Sequence, residues 1–154
     1  MKNPRFSNNQ TFSLAAKPPF YFEGMTTRVF PLRASLFQQQ RFADAYFNQV
    51  IPREVGRFQA FMPYVLLMII DYGKMAATAT NMGWVSQREI MFSVPLLWYR
   101  VIDGRWVFRD WATATPFIYV DDELSMTLGR TAYGWPKTLA WLAPGLNEWI
   151  EDPR

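Results

Sequence analysis

Pro116-Phe117-Ile118-Tyr119-Val120-Asp121-Asp122-Glu123-Leu124-Ser125-Met126-Thr127-Leu128-Gly129-Arg130, followed by Tyr133-Gly134-Trp135-Pro136-Lys137, changes backbone habit three times. Thr113 to Val120 is rich in β-branched and aromatic residues and reads as a strand. Three acids in a row then complement the positive end of a helix that starts beside them. Adjacent carboxylates also raise a metal site, but consecutive helical positions diverge, which favours capping. Leu124, Met126 and Leu128 fill a short helix that Gly129 is expected to end. Lys137 follows at the start of another strand, between Trp135-Pro136 and Thr138-Leu139-Ala140-Trp141, one of the least polar settings in the chain.

Outward from there the pattern is mostly strands. Asp103-Gly104 signals a hairpin between Leu96–Val101 and Trp106–Trp111. Val85 to Arg100 alternates, with Val85, Gln87, Glu89 and Met91 on one parity. Phe61 to Asp71 is a near-continuous apolar run, as expected of a strand buried on both faces. Ser35 with Gln38 forms a capping-box pattern, and Leu36, Ala43, Phe47 and Val50 make one helical face before Pro52 stops the helix. Phe20-Tyr21-Phe22 and Thr27–Arg33 read as strands about a turn at Glu23-Gly24, with Pro31 requiring an edge or a bulge. Residues 1–19 form an N-terminal arm and 20–154 a single domain. The expected fold class is α+β, a mainly antiparallel β-barrel or sheet with two short helices.

Composition removes whole classes of chemistry. The 154 residues are half hydrophobic, 18% aromatic and 19% charged, which requires a folded core. With no cysteine and no histidine there is no disulfide, thiolate, Ser-His-Asp triad or imidazole shuttle. The net charge of +3 is scattered rather than massed, so no nucleic-acid partner is expected. The least charged run, Phe61 to Ile70, is about half a membrane span and holds Pro63, and Met1-Lys2-Asn3-Pro4-Arg5 leads into polar residues. No membrane partner is expected, and the location is expected to be cytoplasmic.

Two side chains carry the candidate chemistry. Among aromatic groups, Lys137 would lose hydration as an ammonium, making neutral amine available to attack a ketone. The bland alternative is a lysine that snorkels from a strand start. Glu89 sits in a strand otherwise headed for the core and could exchange a proton or orient a substrate. Its bland alternative is a surface pair with Arg88 or Arg100.

On these residues the sequence resembles the acetoacetate decarboxylase-like proteins. The Pro116–Arg130 stretch and the aromatic-Pro-Lys motif carry the likeness, together with Glu89 followed six residues later by Pro95. The resemblance implies Lys137 as Schiff-base lysine and Glu89 as the partner that holds substrate or manages protons. It groups Tyr133, Trp135 and Arg130 on the substrate side, with Arg130 bracing the site. No cofactor or metal is implied, and the partner is a small keto substrate.

Several positions depart from the family. A second lysine is replaced by Thr138, the arginine that addresses a substrate carboxylate falls at Met25, and a further glutamate falls at Val65. Family members also continue well beyond the lysine segment. The chain is therefore expected to be either the N-terminal part of a longer fold or a homo-oligomer that closes its sheet with another copy. The leading expectation is a lyase that forms a Schiff base with a β-keto acid or related keto compound, for decarboxylation or aldol/dehydration-type chemistry. The alternatives are a non-catalytic apolar ligand-binding barrel and an inactive fragment of a longer decarboxylase-like protein.

Overall fold

A computed structural model describes residues 19–77 and 83–142. All of the expected arm but Pro19, with Lys2 and Lys17, and the tail from Gly145 lie outside the described residues. The chain runs β1 (Phe20–Glu23), β2 (Thr26–Arg33), α1 (Leu36–Ala43), a π-helical turn (Asp44–Asn48), β3 (Gly56–Ala60), β4 (Tyr64–Ala77), β5 (Val85–Ile102), β6 (Arg105–Val120), α2 (Glu123–Tyr133) and β7 (Lys137–Leu139). These seven strands form one sheet in the order β1-β4-β5-β6-β7, with β2 also on β4 and β3 also on β5. Every pairing is antiparallel except β6 with β7, which the crossover helix α2 makes parallel. The result is an α+β fold, a sheet curled into a half-barrel with two helices; among the described residues no pairing joins β1 or β2 to β7.

The Asp103-Gly104 turn forms as its sequence requires, with both residues at positive φ (50° and 72°). Beyond it the expected break before Thr113 is absent, and β6 is one continuous strand. Its register against β5 shifts twice, between Phe92/Val94 and between Trp98/Tyr99. At each shift the extra residue lies on β6, so these bulges bend that strand and curl the sheet.

Because β5 keeps its own alternation, it serves two different surfaces. Val94 and Leu96 face α1 and join Ala43, Ala60 and Ala114 in the main apolar cluster, with Phe42, Phe47, Phe58 and Val65 packed around it. Gln87, Glu89 and Ser93 face the other way and are buried too. Ile118 and Val120, fully buried on that second face, each contribute roughly 1.5–3 kcal/mol of apolar burial. The run Phe61–Asp71 is only half-buried for most of its length, with Ile69 and Ile70 buried, since α1 and α2 each cover just part of one face.

α1 docks differently from its apolar pattern. Ser35 Oγ accepts from Gln38 N (3.4 Å), giving the expected cap. Leu36 and Val50 are exposed, however, while Gln39 and Ala43 are buried. The π-turn breaks the 3.6-residue period after Ala43, and polar side chains bind the open edge of β3. Gln40 Oε1 accepts from Ala60 N (2.9 Å), and Asn48 accepts from Phe58 N (2.7 Å) while donating to Phe58 O (2.9 Å). Two side chains thus satisfy backbone groups that a neighbouring strand would otherwise pair. Pro31 stands in β2, an edge strand paired only with β4, as its missing N–H demands. No helix among the described residues is long and apolar enough to cross a membrane.

Candidate active site

α2 begins where the three acids stand. Asp122 Oδ1 accepts from Ser125 N (2.6 Å) as the N-cap, and Asp121 Oδ1 accepts from Arg88 N (2.7 Å), tying the start of α2 to β5. Both carboxylates are therefore spent on backbone N–H groups. Gly129 does not end the helix; α2 continues to Tyr133 and stops at Gly134, whose φ of 68° suits a left-handed cap. Gly129 is needed for space instead. A Cβ built there would lie 2.5 Å from Lys137 Cδ and 3.0 Å from its Cε, so the lysine side chain crosses the helix where a glycine lets it pass.

The return to the sheet is equally constrained. Trp135 N donates to Gly129 O (2.9 Å), and Lys137 N donates to Trp135 O (2.8 Å) in a tight turn about Pro136. Arg130 Nη1 donates to Lys137 O (3.2 Å). Lys137 then pairs with Ile118 in register, and its side chain shares the face that holds Glu89. Its Nζ lies 2.8 Å from Glu89 Oε2 and 3.0 Å from Ser125 Oγ. The two charged side chains are only 13% and 6% exposed.

A cavity of about 230 Å³ opens onto this pair. Phe20, Phe22, Tyr72, Met75 and Trp84 line it from β1, β4 and the residue just before β5, and Leu124, Leu128, Tyr133 and Trp135 from the α2 side. Phe20 meets Tyr133 edge-on with ring centroids 6.2 Å apart, joining the two walls. Tyr72, 5.6 Å from the Phe22 ring, has its phenol pushed up to about 12 by burial and then by the Glu89 charge. It stays protonated at neutral pH and can only act there as a neutral donor or acceptor.

Structure thus brings together Lys137, Glu89, Tyr133 and Trp135. Arg130 stands apart: its guanidinium holds the Lys137 backbone, and it is not among the cavity's lining residues. The bland pairing of Glu89 with Arg88 or Arg100 is not what forms, since Arg88 Nε binds Asp71 (2.7 Å) and donates from Nη1 to Leu142 O (2.8 Å). Lys137 is not a bare amine in a greasy hole either, because a carboxylate and a hydroxyl meet its Nζ. Thr138 is exposed and alternates to the opposite face of β7, so a lysine there would not sit beside Nζ. Val65 packs in the α1-side cluster and Met25 is exposed in the β1–β2 turn, neither lining the cavity. Ser125, Tyr72 and Gln87 were not legible as site residues. Of the three, Gln87 alone carries a signal, its shared parity with Glu89.

The sequence matches no known family profile and no curated protein. Among solved structures, the chain is similar to acetoacetate decarboxylase from Legionella pneumophila subsp. pneumophila str. Philadelphia 1, with a TM-score of 0.57 at 16% identity. The match covers 96% of this chain and 47% of that one, so the chain spans about half the length of the structure it resembles. This establishes a distant likeness of fold.

Proposed function

We propose that this chain forms a Schiff base between Lys137 and a keto compound and uses it for lyase chemistry. The observation that supports the reading is the Lys137 Nζ–Glu89 Oε2 contact of 2.8 Å inside an aromatic-walled cavity. Glu89 accepts a proton from the ammonium, and the free amine attacks the carbonyl carbon of the substrate. The carbonyl oxygen leaves as water, and the protonated imine that remains stays paired with the Glu89 carboxylate. Electrons from the breaking bond between the carbon next to the imine carbon and its carboxylate or carbinol carbon flow into the iminium, giving an enamine. Carbon dioxide leaves in a decarboxylation, and an aldehyde leaves in an aldol cleavage. Protonation of the enamine carbon and addition of water then release the product and Lys137.

Ser125 Oγ holds Nζ in place, and the Asp122 cap holds Ser125. A second reading, an apolar ligand-binding half-barrel without turnover, draws on the cavity's mainly apolar lining. Product release from acetoacetate and from β-hydroxy ketones, compared between wild type and Lys137→Ala, separates the two. The lyase reading expects turnover of at least one of the two, at least a hundredfold above that of the variant. Equal rates, with ligand binding intact in Lys137→Ala, would favour the binding reading.

A further inference from the structure

The charge count and an orphaned polar atom among the cavity's described residues narrow the substrate. Among the described lining residues the charged side chains are Glu89 and Lys137, which already neutralise each other. A β-keto acid anion entering there would add a negative charge that no further cation among the described lining residues receives, in surroundings poorly able to solvate it. An uncharged keto compound keeps the count at zero through binding and imine formation. The rim is apolar and ready for a ring: Phe22, Trp84, Tyr133 and Trp135 are large and exposed around the mouth. The cavity's 230 Å³ equals about eight water volumes, room for a ring-bearing compound.

Gln87 supplies the polar contact. It lines the same cavity, is 5% exposed, and its Oε1 has no hydrogen-bond partner. The unmet acceptor is enclosed and costly as it stands, and a turn of the Gln87 side chain into the cavity would let a ligand hydroxyl satisfy it. Gln87 lies two residues from Glu89 on the same face of β5, so a donor bound there sits beside the reacting carbonyl.

We infer that the site takes an uncharged, aromatic keto compound bearing a hydroxyl or enol, rather than a keto acid anion. The inference rests on Lys137 as the imine-forming residue. Benzoylacetone, a largely enolic aryl β-diketone, is the probe. The Lys137 amine attacks a keto carbon, its oxygen leaves as water, and loss of a proton from the central carbon gives a neutral enaminone. That product is seen by its ultraviolet absorbance and by intact mass. Acetoacetate, trapped with borohydride, is the anionic comparison.

The expected result is enaminone formation with benzoylacetone at least tenfold more efficient than imine trapping of acetoacetate. Gln87→Leu should weaken benzoylacetone binding about tenfold in calorimetry, while phenylacetone, which lacks the enol, binds both proteins alike. Binding is also measured in Lys137→Ala, so that recognition is read apart from covalent chemistry. Preference for acetoacetate, or indifference of benzoylacetone binding to Gln87→Leu, overturns the inference while leaving imine chemistry standing. No adduct with either compound, alongside intact benzoylacetone binding, overturns the lyase reading and not the ligand class.

Discussion

Gly129→Ala should damage the site although it improves the helix that carries it. Replacing glycine by alanine inside a helix normally gains about 1 kcal/mol, and nothing in the φ of Gly129 forbids it. The new Cβ would stand 2.5 Å from Lys137 Cδ, against the ~3.5–4.0 Å of a comfortable carbon contact. The lysine must therefore move by roughly 1 Å or more. Nζ is 2.8 Å from Glu89, so a shift of that size stretches the contact past a hydrogen bond. Removing one partner of a buried pair costs ~3–5 kcal/mol. Here the partner is displaced rather than removed, so the cost falls below that range, at about 2–3 kcal/mol. Set against the helix gain, Gly129→Ala should lose about 1–2 kcal/mol in chemical denaturation. It should also lose at least tenfold in imine trapping. In a Lys137→Ala background there is no side chain to strike, and the same substitution should stabilise by about 1 kcal/mol. Gly129→Ala that is stabilising in both backgrounds, with trapping unchanged, would refute the placement of the lysine against α2.

Other consequences are equally direct. Lys137→Met and Glu89→Gln should each cost ~3–5 kcal/mol by stranding a buried partner, and the double variant should cost clearly less than their sum; additive losses in a denaturation cycle would contradict the pairing. Asp122→Ala should cost about 1 kcal/mol by uncapping α2 and should lower trapping by loosening Ser125, whereas unchanged trapping would detach Ser125 from the site. The Tyr72 phenol, raised from 10.0 to about 12, holds its proton longer in the folded state than in the unfolded. Its contribution to stability is full below pH 10 and is lost as pH rises through about 12, because the unfolded chain ionises first. Tyr72→Phe should remove that alkaline loss, and the tyrosinate absorbance difference between the two proteins should titrate well above ordinary tyrosine.

Much of the fold could be read from the sequence because its signals are local. Asp103-Gly104 demands a turn, Asp122 demands a helix start, and Pro31 demands an edge, and each requirement is met by backbone chemistry within a few residues. Lys137 and Glu89 each stand out alone, a lysine among aromatics and a glutamate in an apolar strand; only the family likeness joins them in the sequence, and the register of β7 on β6 brings them into contact. What escaped depends on distant partners. Gln40 and Asn48 look like the wet side of a helix, yet they finish the edge of β3, and the π-turn that aims Asn48 has no local sequence mark. Gly129 looks like a stop signal because its neighbour in space, the Lys137 side chain, lies beyond the turn that follows. Tyr72 reaches the cavity only through its register opposite Gln87. The continuity of β6 was hidden because bulges interrupt alternation without ending a strand.

On the proposed chemistry, Lys137 forms an imine where Lys2, Lys17 and Lys74 do not. These four are the chain's only lysines, so borohydride reduction in the presence of a keto compound, followed by peptide mapping, reads the claim residue by residue. A single stoichiometric adduct is expected on the peptide containing Lys137, lost in Lys137→Ala and strongly reduced in Glu89→Gln. Labelling spread over all four lysines, or an adduct that survives Lys137→Ala, would contradict it.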